Sequence, residues 1–435
     1  MIERKKIKGE VEIPKQIIKD VRSNIKNISD FKKKINSYLK KITSDLVDLI
    51  LFSAIELNAS DIHFEPEKEK VKIRIRIDGI LEDVTSFNPS TYHSILSRIK
   101  LLSGLKLNVT DRPQDGRFSI LIEDNLIEIR TSSLPAEYGE SIVLRILNPK
   151  NLINLEDLGL RKDLFELFEK EIKKPNGMII VTGPTGSGKT TTLYAILKKL
   201  NNPEIKIITI EDPIEYELEG ISQTQVDPKK GYDFANGLRA LMRQDPDVIL
   251  VGEIRDLETA KIALQAALTG HLVLTTLHTN DAAGAIARLE ALGESPINIA
   301  PALNVVIAQR LVRKICPKCK TFRKTSSQEL KEIKKELKNL PKNIKIPKIT
   351  SETKIAEGKG CPYCNFTGYK GREGIFEAFL VDEEMENFIL KSPSISSLRN
   401  LAKKKGMVTM RQDGLIKVLE GKTTLKEVQR VTLEE

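Results

Sequence analysis

The stretch Met178–Leu200, MIIVTGPTGSGKTTTLYAILKKL, reads as a strand, a glycine-rich loop and a helix. The run Met178–Thr182 is apolar and rich in β-branched residues, which is typical of a buried strand. Apolar residues then recur at three- and four-residue spacing within Leu193–Leu200, which indicates one face of a helix. The segment between them, Gly183–Thr190, matches the pattern G-x-x-x-x-G-K-[ST].

The residue types of this loop are those that hold the phosphates of a nucleotide. Gly183, Gly186 and Gly188 allow positive φ, so that successive N–H groups can point inward at phosphate oxygens. The helix N-terminus adds its partial positive charge at the same place. Lys189 can reach the β- and γ-phosphates, and the Thr190 hydroxyl can ligate Mg²⁺. The motif predicts a P-loop NTPase that uses ATP and Mg²⁺, against the alternative of a glycine-rich turn that binds nothing. The predicted nucleotide-binding residues are Gly183, Pro184, Thr185, Gly186, Ser187, Gly188, Lys189, Thr190 and Thr191.

Length and composition limit the number of domains and the kinds of partner that we expect. A chain of 435 residues predicts two to four domains. The chain begins MIERKKIKGE, and no run approaches the roughly 18 apolar residues that a membrane-spanning helix needs, so we expect a cytoplasmic protein that reaches a membrane only through partners. Lys+Arg exceeds Asp+Glu, 70 against 60, which permits a nucleic-acid or anionic-lipid partner. Because aromatic residues for stacking bases are sparse, no nucleic-acid partner is expected.

Before the P-loop, residues 45–148 read as a small α+β domain. The predicted helices are Leu46–Leu57 and Tyr92–Leu102, and the predicted strands are Val71–Ile77 (with a hairpin turn at Asp78-Gly79), Phe118–Ile122, Leu126–Thr131 and Ile142–Ile146. Arginines on these strands are ordinarily solvated or ion-paired. Arg130 and Arg145 gain interest only if this domain abuts a nucleotide, where guanidinium groups stabilise charge on the γ-phosphate.

Acidic residues follow the strands after the P-loop. Ile205–Ile210 ends in Glu211, and acids at the carboxyl end of a strand in an α/β sheet lie where ligands bind. The segment Asp247–Glu253 is an apolar strand ending in Gly252-Glu253, which indicates a Walker B strand whose Glu253 can polarise the attacking water. Gly252 stands where many P-loop enzymes place an aspartate, so we expect the metal to rest on Thr190 and water.

Two of the four histidines bracket one predicted strand, Leu272–Leu277. A satisfied structural histidine is the usual interpretation. Beside a P-loop and acidic strand ends, however, we expect His278 to be a γ-phosphate or coupling residue, whereas for His271 the two interpretations are about even.

All four cysteines lie in paired C-x₂-C knuckles, Cys316/Cys319 and Cys361/Cys364. Each knuckle offers two thiolates on a tight turn, and together they predict one tetrahedral Zn²⁺ site in a reducing compartment. Four protein thiolates leave no open position, so the zinc is structural on this reading; reduced pairs without metal are the alternative.

The predicted organisation is a basic N-terminal arm or short docking helix (1–44), the α+β domain (45–148), a linker with an amphipathic helix (149–174), the P-loop domain (175–312), the zinc module (313–375) and a C-terminal helical region (376–435).

With these motifs in order, residues 45–435 resemble the secretion ATPase superfamily, and more narrowly the type II secretion and type IV pilus assembly ATPases. The motifs that carry the resemblance are SDIHFEP (60–66), RIRIDG (74–79), PQDGR (113–117), the P-loop, ITIEDPIEY (208–216), the Walker B segment through Arg255-Asp256, GHLVLTTLHTNDA (270–282), the paired knuckles, and the ending from GREGIFE to EVQRVT. The fold that the resemblance implies is α/β, with a RecA-like core preceded by a small PAS-like α+β domain.

The resemblance further implies a homo-hexamer, with nucleotide bound between the RecA-like domain and the domain before it, so that Arg130 and Arg145 approach the phosphates. It implies partners: an inner-membrane platform protein and a recruitment protein at the cytoplasmic face. Because retraction motors of the superfamily generally lack the cysteine module, its presence favours an assembly or secretion motor. The region before residue 45 is shorter than the family's usual recruitment domain, so we expect it to do less docking.

The resulting hypothesis is a cytoplasmic, Mg²⁺-dependent ATPase motor. Lys189 and the P-loop hold the phosphates, Glu253 positions or activates water, Glu211 orients the water shell of the metal, and His278 links the γ-phosphate to neighbouring elements. The alternatives are a nucleic-acid translocase with a RecA-like core and a nucleotide-gated scaffold without turnover.

Overall fold

The computed structural model describes residues 9–39, 41–123 and 125–432, and residue 151 without its side chain. Parts of the predicted N-terminal arm (1–8 and 40) and of the C-terminal region (433–435) therefore lie outside the described residues. The chain forms two compact units. The first holds the described residues up to Asn151 together with Cys316–Cys319 and Lys359–Lys370, and the second holds Leu152–Ile315, Lys320–Gly358 and the chain from Gly371.

The first unit is a seven-stranded sheet with helices packed on one face. In chain order its elements are β1 Glu10–Glu12, α1 Lys15–Asn24, α2 Ile28–Tyr38, α3 Thr43–Glu56, β2 Ala59–Pro66, β3 Val71–Ile77, β4 Ile80–Phe87, α4 Pro89–Leu102, β5 Gln114–Ile122, β6 Asn125–Ala136 and β7 Gly139–Leu147. The strand order is β1-β5-β6-β7-β2-β3-β4. In β3, isoleucines and Val71 are buried and the basic residues between them are partly exposed, as alternation in a half-buried strand requires. Asp78 and Gly79 both adopt positive φ, which confirms the predicted tight hairpin turn.

Residues 10–38 differ from the predicted arm. Helix α1 buries Ile17, Ile18 and Val21, and α2 buries Phe31 and Ile35 in the core of the first unit. The apolar residues do recur at helical spacing, but the lysines between them dilute the pattern. The segment is thus part of the folded domain, because its apolar faces are covered by the same core as the sheet.

The second unit contains a seven-stranded sheet that is covered on both faces. In chain order its elements are α5 Lys162–Glu171, β8 Gly177–Thr182, α6 Lys189–Leu200, β9 Ile207–Glu211, β10 Ser222–Gln225, α7 Phe234–Leu241, β11 Val248–Val251, α8 Leu257–Leu268, β12 Leu272–Leu277, α9 Ala282–Ala291, α10 Pro296–Ile299, β13 Leu303–Ile315, β14 Lys320–Lys324, α11 Ser327–Leu337, β15 Lys354–Gly358, β16 Tyr369–Leu380 (its first two residues in the first unit), α12 Glu383–Ile389, α13 Ile395–Lys404, α14 Met410–Leu419 and α15 Leu425–Thr432.

The strand order of this sheet is β10-β9-β11-β12-β8-β13-β16, and the pairs from β10 through β13 are parallel. Every residue of β8, β11 and β12 is buried, as the continuous apolar runs predicted, because helices cover both faces of a parallel sheet. The carboxyl ends of these strands meet at one edge, where ligands bind in open α/β sheets. The separate antiparallel pair β14–β15 stands beside the C-terminal helices of the same unit.

Candidate active site

The P-loop joins β8 to α6 with the geometry that its sequence predicts. Gly183, Gly186 and Gly188 all adopt positive φ, of +152°, +79° and +89°. Lys189 begins α6, and its Nζ donates to the carbonyl oxygen of Gly183 at 2.9 Å and to that of Pro184 at 3.3 Å. Burial lowers the pKa of Lys189, and Arg310 lowers it further, whereas the carboxylate of Glu253 opposes the change. The amine is therefore folded over the loop, where a phosphate would meet it.

Glu253 follows β11 and is held by two basic side chains. Its Oε1 lies 2.5 Å from Arg255 Nη2, and its Oε2 lies 3.4 Å from Nε2 of His278, which follows β12. Burial and the charge of Lys189 lower the pKa of His278, so the ring is favoured in its neutral form. Glu253, His278 and Lys189 are thus brought together at one edge of the sheet.

Gly252 has a steric explanation. Its N–H donates to the carbonyl oxygen of Ile210 at 2.8 Å, and its own carbonyl oxygen accepts from the Thr276 hydroxyl at 2.7 Å. A Cβ at this position would lie 3.3 Å from Cα of Glu211, closer than neighbouring chains ordinarily allow. The close approach of β11 to β9 therefore favours glycine where many related sites carry an aspartate.

Glu211 ends β9 and is buried in a network of donors. Its carboxylate accepts from the hydroxyls of Tyr194 and Thr209, the latter at 2.6 Å, and from Nε2 of Gln223 at 3.2 Å. Burial and the carboxylate of Glu211 raise the pKa of Tyr194, so the phenol remains a donor. These contacts connect α6, β9 and β10 behind the P-loop.

Three residues singled out from the sequence make other contacts. His271 stands at the opposite end of β12 from His278, and its Nδ1 lies 3.0 Å from the carbonyl oxygen of Ala266 in α8, so it takes the structural role. Arg130 and Arg145 belong to the first unit, directly opposite one another on β6 and β7. Nε of Arg130 donates to Glu128 at 3.1 Å, and Nε of Arg145 donates to the buried Asp61 at 3.2 Å. Their role toward a nucleotide stays a prediction.

Sequence reasoning missed residues of β13 that border the P-loop. Gln309 is buried against the loop, and Arg310 donates to the carbonyl oxygen of Asn280, two residues beyond His278, at 2.8 Å. No motif marks either residue. The parallel pairing of β13 with β8 is what places them there.

The four cysteines converge as their spacing predicts. All four Sγ atoms lie within 4.8 Å of one another. The sulfur atoms are 3.8 Å apart in the pairs Cys316–Cys361 and Cys319–Cys364 and 3.7 Å apart in Cys361–Cys364. A tetrahedral zinc with bonds of about 2.3 Å requires ligand sulfurs about 3.8 Å apart. The cluster therefore fits Zn²⁺.

None of the helices among residues 9–39, 41–123 and 125–432 combines the length and apolarity needed to cross a membrane.

Comparisons with known proteins show the family to which the chain is similar. The family described as "Type II/IV secretion system protein" matches residues 38–430. Type II secretion system protein E of Dickeya dadantii is 46% identical over 392 residues, which cover 90% of this chain and 76% of that protein. Type IV pilus assembly ATPase PilB of Thermus thermophilus is 44% identical over 389 residues, 89% of this chain but only 43% of that protein. The crystal structure of the pilus retraction motor PilT with bound ADP superposes with a TM-score of 0.57 and 28% identity, covering 88% of this chain and 96% of that one.

The structure and these similarities together confirm the predicted fold class: α/β, with a helical C-terminal region and a cysteine cluster fit for a metal. The chain belongs to the type II/IV secretion system protein family.

Proposed function

We propose that this protein is a cytoplasmic ATPase motor that hydrolyses ATP to drive assembly of a type II secretion pseudopilus or a type IV pilus. The observation that carries the proposal is the convergence of the P-loop, Lys189, Glu253 and His278 at the carboxyl edge of one parallel sheet. The names of the relatives, secretion protein E and pilus assembly ATPase, support the same activity.

The P-loop residues, numbers 183–191, would receive the phosphates. The first backbone N–H groups of α6 would donate to phosphate oxygens, and Lys189 would exchange its two carbonyl contacts for β- and γ-phosphate oxygens. The Thr190 hydroxyl would hold Mg²⁺, which supplies charge neutralisation across the β- and γ-phosphate oxygens.

Glu253 is the group proposed to position and activate water. A carboxylate within reach of the γ-phosphate can accept the proton of an attacking water, and Arg255 and His278 fix its two oxygens in space. We propose that His278 transmits the state of the γ-phosphate through this contact. We propose that Glu211 orients the water shell of the metal, with its carboxylate held in place by Thr209 and Gln223.

We propose that the cysteine cluster holds one structural Zn²⁺ through Cys316, Cys319, Cys361 and Cys364. We further propose a homo-hexamer in which Arg130 and Arg145 approach a bound nucleotide. An inner-membrane platform protein and a recruitment protein at the cytoplasmic face would be the partners, and membrane association would be peripheral, through them.

Phosphate release by the purified protein tests the hydrolytic site. Lys189→Ala should reduce the rate by at least about 100-fold, because a cation that stabilises transferring phosphoryl charge contributes on that order. The matched control is Lys198→Ala, since Lys198 is exposed on the same helix. Equal rates for Lys189→Ala and wild type would refute the assignment.

Purification of tagged Glu253→Gln protein with ATP from native membranes tests the motor. A polytopic platform protein and pilin-like subunits should be recovered. Recovery of nucleic acid instead, together with wild-type ATPase activity that DNA or RNA stimulates and salt steeply suppresses, would indicate a translocase. ATP-dependent oligomerisation of the wild-type protein without phosphate release would indicate a scaffold.

A further inference from the structure

Gln309 lies on β13 immediately beside the P-loop. Strand β13 pairs in parallel with β8, and the last matched pair is Ala308 with Thr182. The next residues are Gln309 on β13 and Gly183, which directly follows β8. The Gln309 side chain is 1% exposed, so its amide has no access to bulk water and must be hydrogen-bonded within the protein.

Both ends of the Gln309 amide bind the phosphate loop and the helix that follows it. Nε2 donates to the carbonyl oxygen of Ser187 at 2.7 Å, and Oε1 accepts from the hydroxyl of Thr192 at 2.8 Å. Thr192 is fully buried in the first turn of α6. The amide therefore bridges the loop at Ser187 and the first turn of the helix at Thr192, across the four residues between them.

The loop is also in steric contact with Gln309. A Cβ at Gly183 would lie 2.7 Å from the carbonyl oxygen of Gln309, and a Cβ at Gly188 would lie 3.1 Å from Nε2 of Gln309. Side chains at these two positions would displace the loop from β13. The glycines are thus required by the neighbouring strand as well as by the positive φ angles.

This geometry has a consequence for phosphate binding. Each peptide unit has its N–H and its carbonyl oxygen on opposite sides, so a carbonyl held outward aims the following N–H inward. Gln309 holds the Ser187 carbonyl toward β13, and the next N–H belongs to Gly188 in the phosphate cradle. Lys189 holds the Gly183 carbonyl from the other side.

We propose that Gln309 is a positioning residue that sets the phosphate-binding conformation of the P-loop before a nucleotide arrives. It acts on phosphates through the loop and does not touch the reacting atoms. The inference rests on the proposed nucleotide site. Preorganisation of this kind strengthens binding because the loop need not be ordered when the ligand binds.

The test is calorimetric titration of ADP and of adenosine into wild type and Gln309→Met, whose side chain is similar in length but makes neither hydrogen bond. ADP should bind about 10-fold more weakly to the variant, because ADP would then have to order the loop that the two hydrogen bonds otherwise hold in place. Adenosine should bind equally to both proteins, because it has no phosphate. In steady-state ATP hydrolysis, KM should rise more than kcat falls.

The matched control is Asn304→Leu. Asn304 lies on the same strand at the other end of the sheet, where Nδ2 donates to the carbonyl oxygen of Asn176 at 2.9 Å. It should leave the ADP affinity unchanged. If Gln309→Met does not fold, two other variants replace it. Thr192→Val removes one of the two hydrogen bonds, and Gln309→Glu places an acceptor against the Ser187 carbonyl. Both should weaken the binding of ADP and leave the binding of adenosine unchanged.

Two outcomes overturn the inference: ADP affinity within twofold of wild type in folded Gln309 variants, or an equal loss for ADP and adenosine. If wild type itself does not bind ADP, the proposed nucleotide site is wrong, which is a separate result.

Discussion

At the scale of single residues, Glu253 and His278 show how the end of a strand positions a polar side chain at the edge of the sheet. Glu253 lies two residues after the fully buried β11, and His278 directly follows the fully buried β12, so each backbone is fixed while the side chain reaches the edge of the sheet. The contact of 3.4 Å between them pairs a carboxylate with a ring whose pKa burial lowers. A neutral ring can donate to the carboxylate without neutralising it, which keeps Glu253 available as a base.

A buried acid outside the site gives a prediction of pH-dependent stability. Asp48 lies in α3, and its Oδ1 has no hydrogen-bond partner among the described residues. Burial raises the pKa of Asp48 to about 6, and the charge of Arg98 only partly opposes this. The folded state therefore binds a proton more readily than the unfolded state, and stability from this residue is lost as the pH rises from about 4 through about 6.

Asp48→Asn should consequently stabilise the protein more at pH 7.5 than at pH 5, by about 1 kcal/mol of unfolding free energy. Thermal melting of wild type and variant at both pH values measures this. Glu69→Gln, an exposed acid in the same unit, is the control and should change neither value. An equal advantage for Asp48→Asn at pH 5 and pH 7.5 would contradict the account.

At the scale of elements, the sequence predicted those whose local pattern matches their surroundings. Strands β3 and β12 have the predicted bounds. Alternating apolar and basic residues in β3 indicate burial on one face, and the continuous apolar run of β12 indicates burial on both faces. The knuckles were also predictable, since thiolate spacing is a local property. Helices α1 and α2 were missed because lysines obscure their apolar faces, and Gln309 was missed because the pairing of β13 with β8 is set by tertiary structure.

The paired cysteine knuckles lead to a prediction about zinc content and thermal stability. The purified protein should contain about one zinc per chain, and Cys361→Ser should remove most of it and lower the melting temperature, because the metal would join four thiolates from two chain segments. Metal analysis and thermal melting measure the two effects. Tyr363→Phe, within the same knuckle, should leave the zinc content and the melting temperature unchanged. Full zinc content in the Cys361 variant would show that the cluster is not the site.

At the scale of the whole molecule, the chain is divided into a unit with the arginine-bearing sheet and a unit with the P-loop sheet. The groups of the second unit proposed to bind and hydrolyse the nucleotide all follow strands of one sheet. Conversion of that chemistry into movement of the first unit, in a hexamer and against a membrane partner, is the part of the proposal that depends on family resemblance.

The most direct test of the central claim is the nucleotide retained by Glu253→Gln after incubation with ATP and Mg²⁺ and removal of free ligand. Chromatography of the denatured protein identifies the nucleotide, with wild type and Lys189→Ala treated in parallel. We expect bound ATP on Glu253→Gln, ADP on wild type, and little nucleotide on Lys189→Ala, because binding and water activation belong to different residues. Wild-type turnover by Glu253→Gln, or its failure to bind ATP at all, would contradict the account.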